Sequence, residues 1–102
     1  MATFVTLMNF TERGIKSFGG TVKRAEAFAE LVKQHGGNVK AIYWTLGQYD
    51  LVAVIEGLDD ENATAAVLHL GSMRNVRTVT MRAFDAEEMT RIIAKAALTD
   101  SG

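Results

Sequence analysis

Gly47-Gln48-Tyr49-Asp50 sets a phenol beside a carboxylate directly after a glycine. Held within hydrogen-bond reach of a substrate, such a pair could give and take a proton. The same residues also make a good turn: glycine supplies unusual backbone torsions, aspartate bonds turn amides, and tyrosine packs over a hairpin. Imidazole chemistry would have to use His35 or His69, the two histidines of the chain. Helical spacing puts His69 away from the apolar side formed by Ala63, Ala66, Val67 and Leu70, on a solvated or subunit-facing side. His35 falls in the last turn before Gly36, where a protonated ring would complement a helix dipole. With no cysteine and no HxxxH or HExxH spacing, no zinc or two-metal site is expected.

Arg74, Arg77 and Arg82 offer guanidinium forks for an anion. Arg77 and Arg82 have opposite strand parity, however, so they cannot both face one pocket without a bulge. Tyr43 and Trp44 are likewise sent to opposite faces of a strand, one toward a helix-sheet core and one toward a subunit surface. Gly14, Gly19 and Gly20 fit no phosphate-loop pattern, so no nucleotide cofactor is expected. The ligand-binding candidates are therefore Tyr43, Trp44, Tyr49, Asp50, His69 and Arg77. Gly47, Tyr49 and Asp50 carry the competing structural role.

The elements that must position these residues follow from periodicity. Strands are predicted at Thr3–Phe10, Val39–Leu46, Leu51–Glu56 and Val76–Phe84, from β-branched and aromatic runs. A short helical turn lies between Thr11 and Phe18. A helix from an N-cap at Thr21 to about Gln34 carries the stripe Val22, Ala25, Phe28, Ala29 and Val32, and Gly36-Gly37 ends it. Asp59 or Asp60 caps a second helix to about Met73. Asp85 and Glu88 have capping-box spacing before a last helix with Met89, Ile92, Ile93 and Ala96 on one side. A frayed tail is expected from Thr99.

The 102 residues make one domain, with 48% hydrophobic and 23% charged residues, as in an ordinary globular protein. A formal charge of −1 leaves no electrostatic footprint for nucleic acid. No apolar run approaches the roughly 20 residues of a membrane helix. Without a signal-like start or cysteines, cytoplasm is the expected location.

The order β-α-β-β-α-β plus a terminal helix is the ferredoxin-like α+β pattern. Two helices cover one face of such a sheet. Strand parity assigns Phe4, Thr6, Met8, Phe10, Tyr43, Thr78, Thr80 and Phe84 to the uncovered face. That face is too apolar for water, so the sheet is expected to stack on a copy of itself, with Thr6 and Thr80 in the interface.

The stretches MATFVTLMNFTERGIK, KRAEAF, YWTLGQYDLVAV and LGSMRNVRTVTMRAF, followed by an acidic-capped helix, resemble the GYD-domain family across essentially the whole chain. Gly47, Tyr49 and Asp50 match the residues that name it, and Gly71-Ser72 with Asn75-Val76-Arg77-Thr78 match its second characteristic stretch. Gly19-Gly20-Thr21 departs from the polar, often proline-containing helix start of the pattern. The resemblance implies a dimeric α+β barrel, a superfamily that includes cofactor-independent monooxygenases, muconolactone-isomerase-like proteins and Lrp/AsnC effector domains. A similar turn in the non-catalytic Lrp/AsnC domains favours the structural role of Tyr49 and Asp50. No reaction is implied by the family itself. Two functions follow: a homo-oligomeric small-molecule-binding or assembly module, or a cofactor-independent enzyme acting on an aromatic or enolisable compound in the sheet-helix cleft.

Overall fold

Four strands, β1 (Ala2–Phe10), β2 (Asn38–Trp44), β3 (Leu51–Leu58) and β4 (Val76–Ala83), form one antiparallel sheet in the order β2-β3-β1-β4. The computed structural model describes residues 2–100. The short helix α1 (Glu12–Lys16) and a 3₁₀ turn (Phe18–Gly20) lead into α2 (Thr21–Gln34). The helix α3 (Asp60–Ser72) joins β3 to β4, and α4 (Ala86–Asp100) follows the sheet. This is the expected ferredoxin-like α+β order. The last helix runs to Asp100, one residue past the expected start of the tail at Thr99, and residues 101–102 lie outside the described residues.

For β1 and β4 the assignment of faces is reversed from the sequence expectation, whereas Tyr43 of β2 lies on the uncovered face as expected. Phe4, Thr6 and Met8 point into the helix-covered core, opposite Ile55, Ala53 and Leu51 of β3. Phe28 and Val32 of α2, with Ala63 and Ala66 of α3, close over them. Thr78 and Thr80 follow the same side through their pairing with Met8 and Thr6. Thr6 is fully buried, and its hydroxyl bonds that of Thr80 at 3.0 Å. The uncovered face carries Val5, Leu7, Val52, Val54, Val79, Met81 and Ala41, together with Tyr43. β1 is apolar on both parities, so alternation alone could not choose; the larger side chains went where a helix layer needed filling. In β2 a register shift at Lys40 puts both Val39 and Ile42 on the core side, breaking the simple alternation.

Local chemistry accounts for the element ends. Asp59 caps α3 by accepting from the Asn62 amide at 2.8 Å. Asp85 and Glu88 form both bonds of a capping box. Gly36, at φ +93°, ends α2 in the left-handed conformation. Thr21 does not cap α2. It is the first helical residue, after the 3₁₀ turn, and its hydroxyl accepts from the Trp44 indole at 3.0 Å. Val22 leaves the predicted stripe and is 54% exposed.

One close approach decides how the site-bearing end is built. Gly14 is buried against the turn after α3, and a Cβ there would run into the Asn75 carbonyl. The Thr11 amide donates to that same carbonyl, and the Thr11 hydroxyl donates to the Arg74 carbonyl. α1 is thus stapled to the α3–β4 turn. Gly14→Ala should lose about 1–3 kcal/mol in urea unfolding through overpacking. Gly19→Ala, where a Cβ meets nothing within 4 Å, should stay within about 0.5 kcal/mol.

Candidate functional site

The turn with the richest chemistry is tied into the sheet by its own hydrogen bonds. The β1–β3 ladder runs to the Met8–Leu51 pair, and the Asp50 amide then donates to the Met8 carbonyl at 2.9 Å. Beyond it, the Asp50 carboxylate accepts from the Phe10 amide at 2.9 Å, replacing the missing strand partner. Gly47 adopts φ +123°, a region costly to any other residue. Thr45 closes the hairpin, its amide on the Asp50 carbonyl at 2.8 Å and its hydroxyl on the Tyr49 carbonyl at 2.6 Å. The Tyr49 phenol makes no hydrogen bond among the described residues.

The other candidates do not converge. Tyr43 lies on the uncovered sheet face, 63% exposed, while Trp44 turns to the helix side and reaches Thr21. Arg77, opposite Asn9, sits at the margin of the uncovered face, and Arg82 pairs across to Phe4 on the other. Arg82 is engaged by Glu88 at 3.7 Å and stacks over Phe84, with 4.6 Å to the ring centroid. His35 joins α2 to α3 by a 3.0 Å bond between its Nδ1 and Asn62 Oδ1.

Of the six ligand-binding candidates, His69 lines an apolar cavity. Between α2, α3 and the sheet lies an apolar space of about 130 Å³, walled by Met8, Phe28, Leu31, Ile42, Leu51 and Val76. Its polar boundary is Thr21, Arg24, His69 and Asn75. A dry cavity of about 150 Å³ holds one benzene ring, so this space suits an apolar body of that size. The His69 ring has no partner among the described residues, so no imidazole–carboxylate dyad lines the cavity. Among the described residues no group of three or more His, Cys, Asp or Glu could hold a metal ion.

Sequence patterns missed Arg24, Thr21 and Asn75. Arg24 sits in an ordinary amphipathic helix, and Asn75 lies in the α3–β4 turn, far from it in sequence. The one signal was Gly14, a glycine inside a helical segment, which marks close backbone approach.

Beside the cavity, an open cleft is lined by Arg13, Lys16, Arg24 and Arg74, with Glu12 the lone acid. Arg24 is anchored by donation to the Ser17 carbonyl at 2.9 Å and the Gly14 carbonyl at 3.3 Å. Arg74 occupies the position after the α3 C-cap at φ 65°. Left-handed backbone costs a non-glycine residue about 1–2 kcal/mol. The favourable interaction of a cation with a helix C-terminus, about 0.3–1 kcal/mol, does not fully offset it.

If the Asp50 carboxylate serves the ladder, Asp50→Ala should lose about 1–2 kcal/mol by orphaning the Phe10 amide. Tyr49→Phe should change stability by less than about 0.5 kcal/mol. Denaturant melts of both variants check this; an Asp50→Ala chain as stable as its parent would return the carboxylate to ligand contact.

The sequence model of the GYD domain matches residues 4–93. A protein of Thermus thermophilus named "Glutamine synthetase and cystathionine beta-lyase binding protein" is 34% identical over 90 residues, covering 87% of this chain and 95% of that protein. A crystal structure of a Thermus thermophilus protein superposes with a TM-score of 0.55 at 28% identity, over 84% of this chain and 96% of the other. The structure of FFRP-DM1 gives 0.59 at 23% identity, over 82% and 100%, and shares the fold.

Proposed function

The chain belongs to the GYD domain family, and we propose that it is a cytoplasmic homo-oligomer, built on a dimer, that serves as a small-molecule-binding or assembly module. The observation carrying the binding role is the apolar cavity with a few polar groups at its edge and no paired acid and base. A cofactor-independent enzyme would need a positioned base there, and His69, exposed and unpartnered among the described residues, is poorly held for that work. The name of the Thermus thermophilus relative supports the assembly role, in which partner proteins dock on a stable oligomer.

The oligomer is argued from surface. The chain exposes 6,999 Å², against about 5,700 Å² expected for a monomer of this mass. Covering the excess on two chains would bury about 2,600 Å², the size of an obligate interface. Two apolar surfaces await that cover. One is the sheet face bearing Leu7, Val54, Val79 and Met81, with Tyr43 and Arg77 at its edges. The other is α4, where Met89 and Ile93 are 45% and 58% exposed. With extents of 57 × 31 × 19 Å and a radius of gyration of 16.0 Å, the protomer exceeds the roughly 13 Å of a compact domain its size.

Light scattering should therefore give a dimer or a multiple of it. Leu7→Lys should release an 11.1 kDa species with a lower melting midpoint, because the charge would be buried without a partner. A wild-type monomer at micromolar concentration would remove the oligomer. Native mass spectrometry of protein taken directly from cells tests the binding role: a retained small molecule supports the module, and a retained partner protein its assembly form.

A further inference from the structure

The apolar cavity and the basic cleft share Arg24 and Asn75 as a common wall. We propose that they form one composite site for a small organic anion, with a ring-sized apolar body in the cavity and a carboxylate or phosphate head in the cleft. The proposal rests on the binding role above and names its ligand class.

Charge is the first support. Four cations meet one carboxylate in the cleft of a chain whose net charge is −1. Glu12 faces Lys16 at 3.5 Å, both well exposed. The acceptors of Arg24 are a hydroxyl and two backbone carbonyls, so its charge meets no carboxylate. The guanidiniums of Arg13 and Arg74 make no hydrogen bond or ion pair among the described residues. Guanidinium forks that meet no carboxylate, carried by residues lining one cleft, suit the oxygens of carboxylate or phosphate.

Preorganisation is the second. Gly14, Thr11 and the Asn75 carbonyl lock α1 against the α3–β4 turn, so the backbones carrying Arg13 and Arg74 are fixed relative to each other. Arg74 holds a left-handed position that glycine would occupy without strain. Strain kept at a side chain with no partner in the fold points to a role outside the fold.

The third support is why neither half suffices. Exposed cations in an open cleft are screened within about 8 Å at physiological salt, so a bare anion would bind weakly. The cavity alone would accept any apolar body of its size. Joined across Arg24, each supplies what the other lacks: the cavity adds affinity and the cleft selects the head.

The test is a nuclear magnetic resonance titration with three probes, 3-phenylpropionate, 3-phenylpropanol and inorganic phosphate, following the Leu70 and Met73 methyls at the cavity. The acid should bind at least about tenfold tighter than the alcohol, the worth of one charge-assisted hydrogen bond, and phosphate should be weaker than the acid. The double variant Arg13→Gln, Arg74→Gly should bring the acid down to the alcohol's affinity. The alcohol's own affinity should not change, and the melting midpoint should be equal or higher, since glycine relieves the strain. Equal affinities of acid and alcohol in the parent chain would overturn the composite site while leaving the cavity as a binding site. Phosphate binding as tightly as the acid would overturn it in favour of a separate anion site, open to an acidic segment of a partner protein. Failure of both aromatic probes to shift the cavity methyls would overturn the composite site and the small-molecule role together.

Discussion

A fourteen-residue α2 and a thirteen-residue α3 can cover one face of a four-stranded sheet and little more. Helices of that length are about 20 Å long and about 10 Å wide, while four strands span about 20 Å across. The rest of the structure depends on this limit. The covered face holds Phe4, Met8, Leu51 and Ile55 in a dry layer with Phe28 and Val32. The other face keeps Val5, Leu7, Val52 and Val54 with no layer from the same chain. In a protein of this size one core is marginal, so leaving such a face wet would forfeit burial the fold can hardly spare.

The elements were legible because their signals are local. Apolar periodicity, the Asp59 cap, the Asp85–Glu88 capping box and the left-handed Gly36 each act within a few residues, and each lies where the pattern put it. Strand parity was less legible because it needs to know which face receives the helices. β1 offers Phe4 and Met8 on one side and Val5 and Leu7 on the other, and nothing within it says which is inner. The Lys40 irregularity is invisible in sequence, since the residue has no glycine or proline to mark a bulge. Thr6 misled in another way. A threonine suits an interface between copies, where parity placed it, yet its hydroxyl is satisfied by Thr80 and its body fits beneath the helices at no exposed area.

The site was less legible still, for a reason that is general to turns rich in functional groups. Asp50 looks chemical because a carboxylate next to a phenol is chemical, but a carboxylate is also a strong acceptor for an amide that a ladder leaves unpaired. Its bond to Phe10 is forty residues long in sequence, and no local pattern announces it. Arg24 and Asn75 are both bonded to the α1 segment, whose docking depends on Gly14 having no side chain. Sequence showed the glycine but not the surface it approaches.

The two apolar surfaces are not independent, because the same strands serve both. Met8 and Leu51 line the cavity, while their neighbours Leu7 and Val52, paired with each other, lie on the uncovered face. Close-packed strands pass displacement from one side to the other, since side chains alternate on a single backbone. Filling the cavity acts on Met8 and Leu51; covering the sheet acts on Leu7 and Val52. Any preference of a ligand for the assembled form must therefore reappear as tighter assembly in the presence of ligand, because coupling between two binding events is reciprocal. The Asp50 bonds tie β1 to the start of β3 at this same end and hold the two strands in one register. The turn with the most chemical appearance thus stands at the strands that separate the two apolar surfaces and keeps those strands in place.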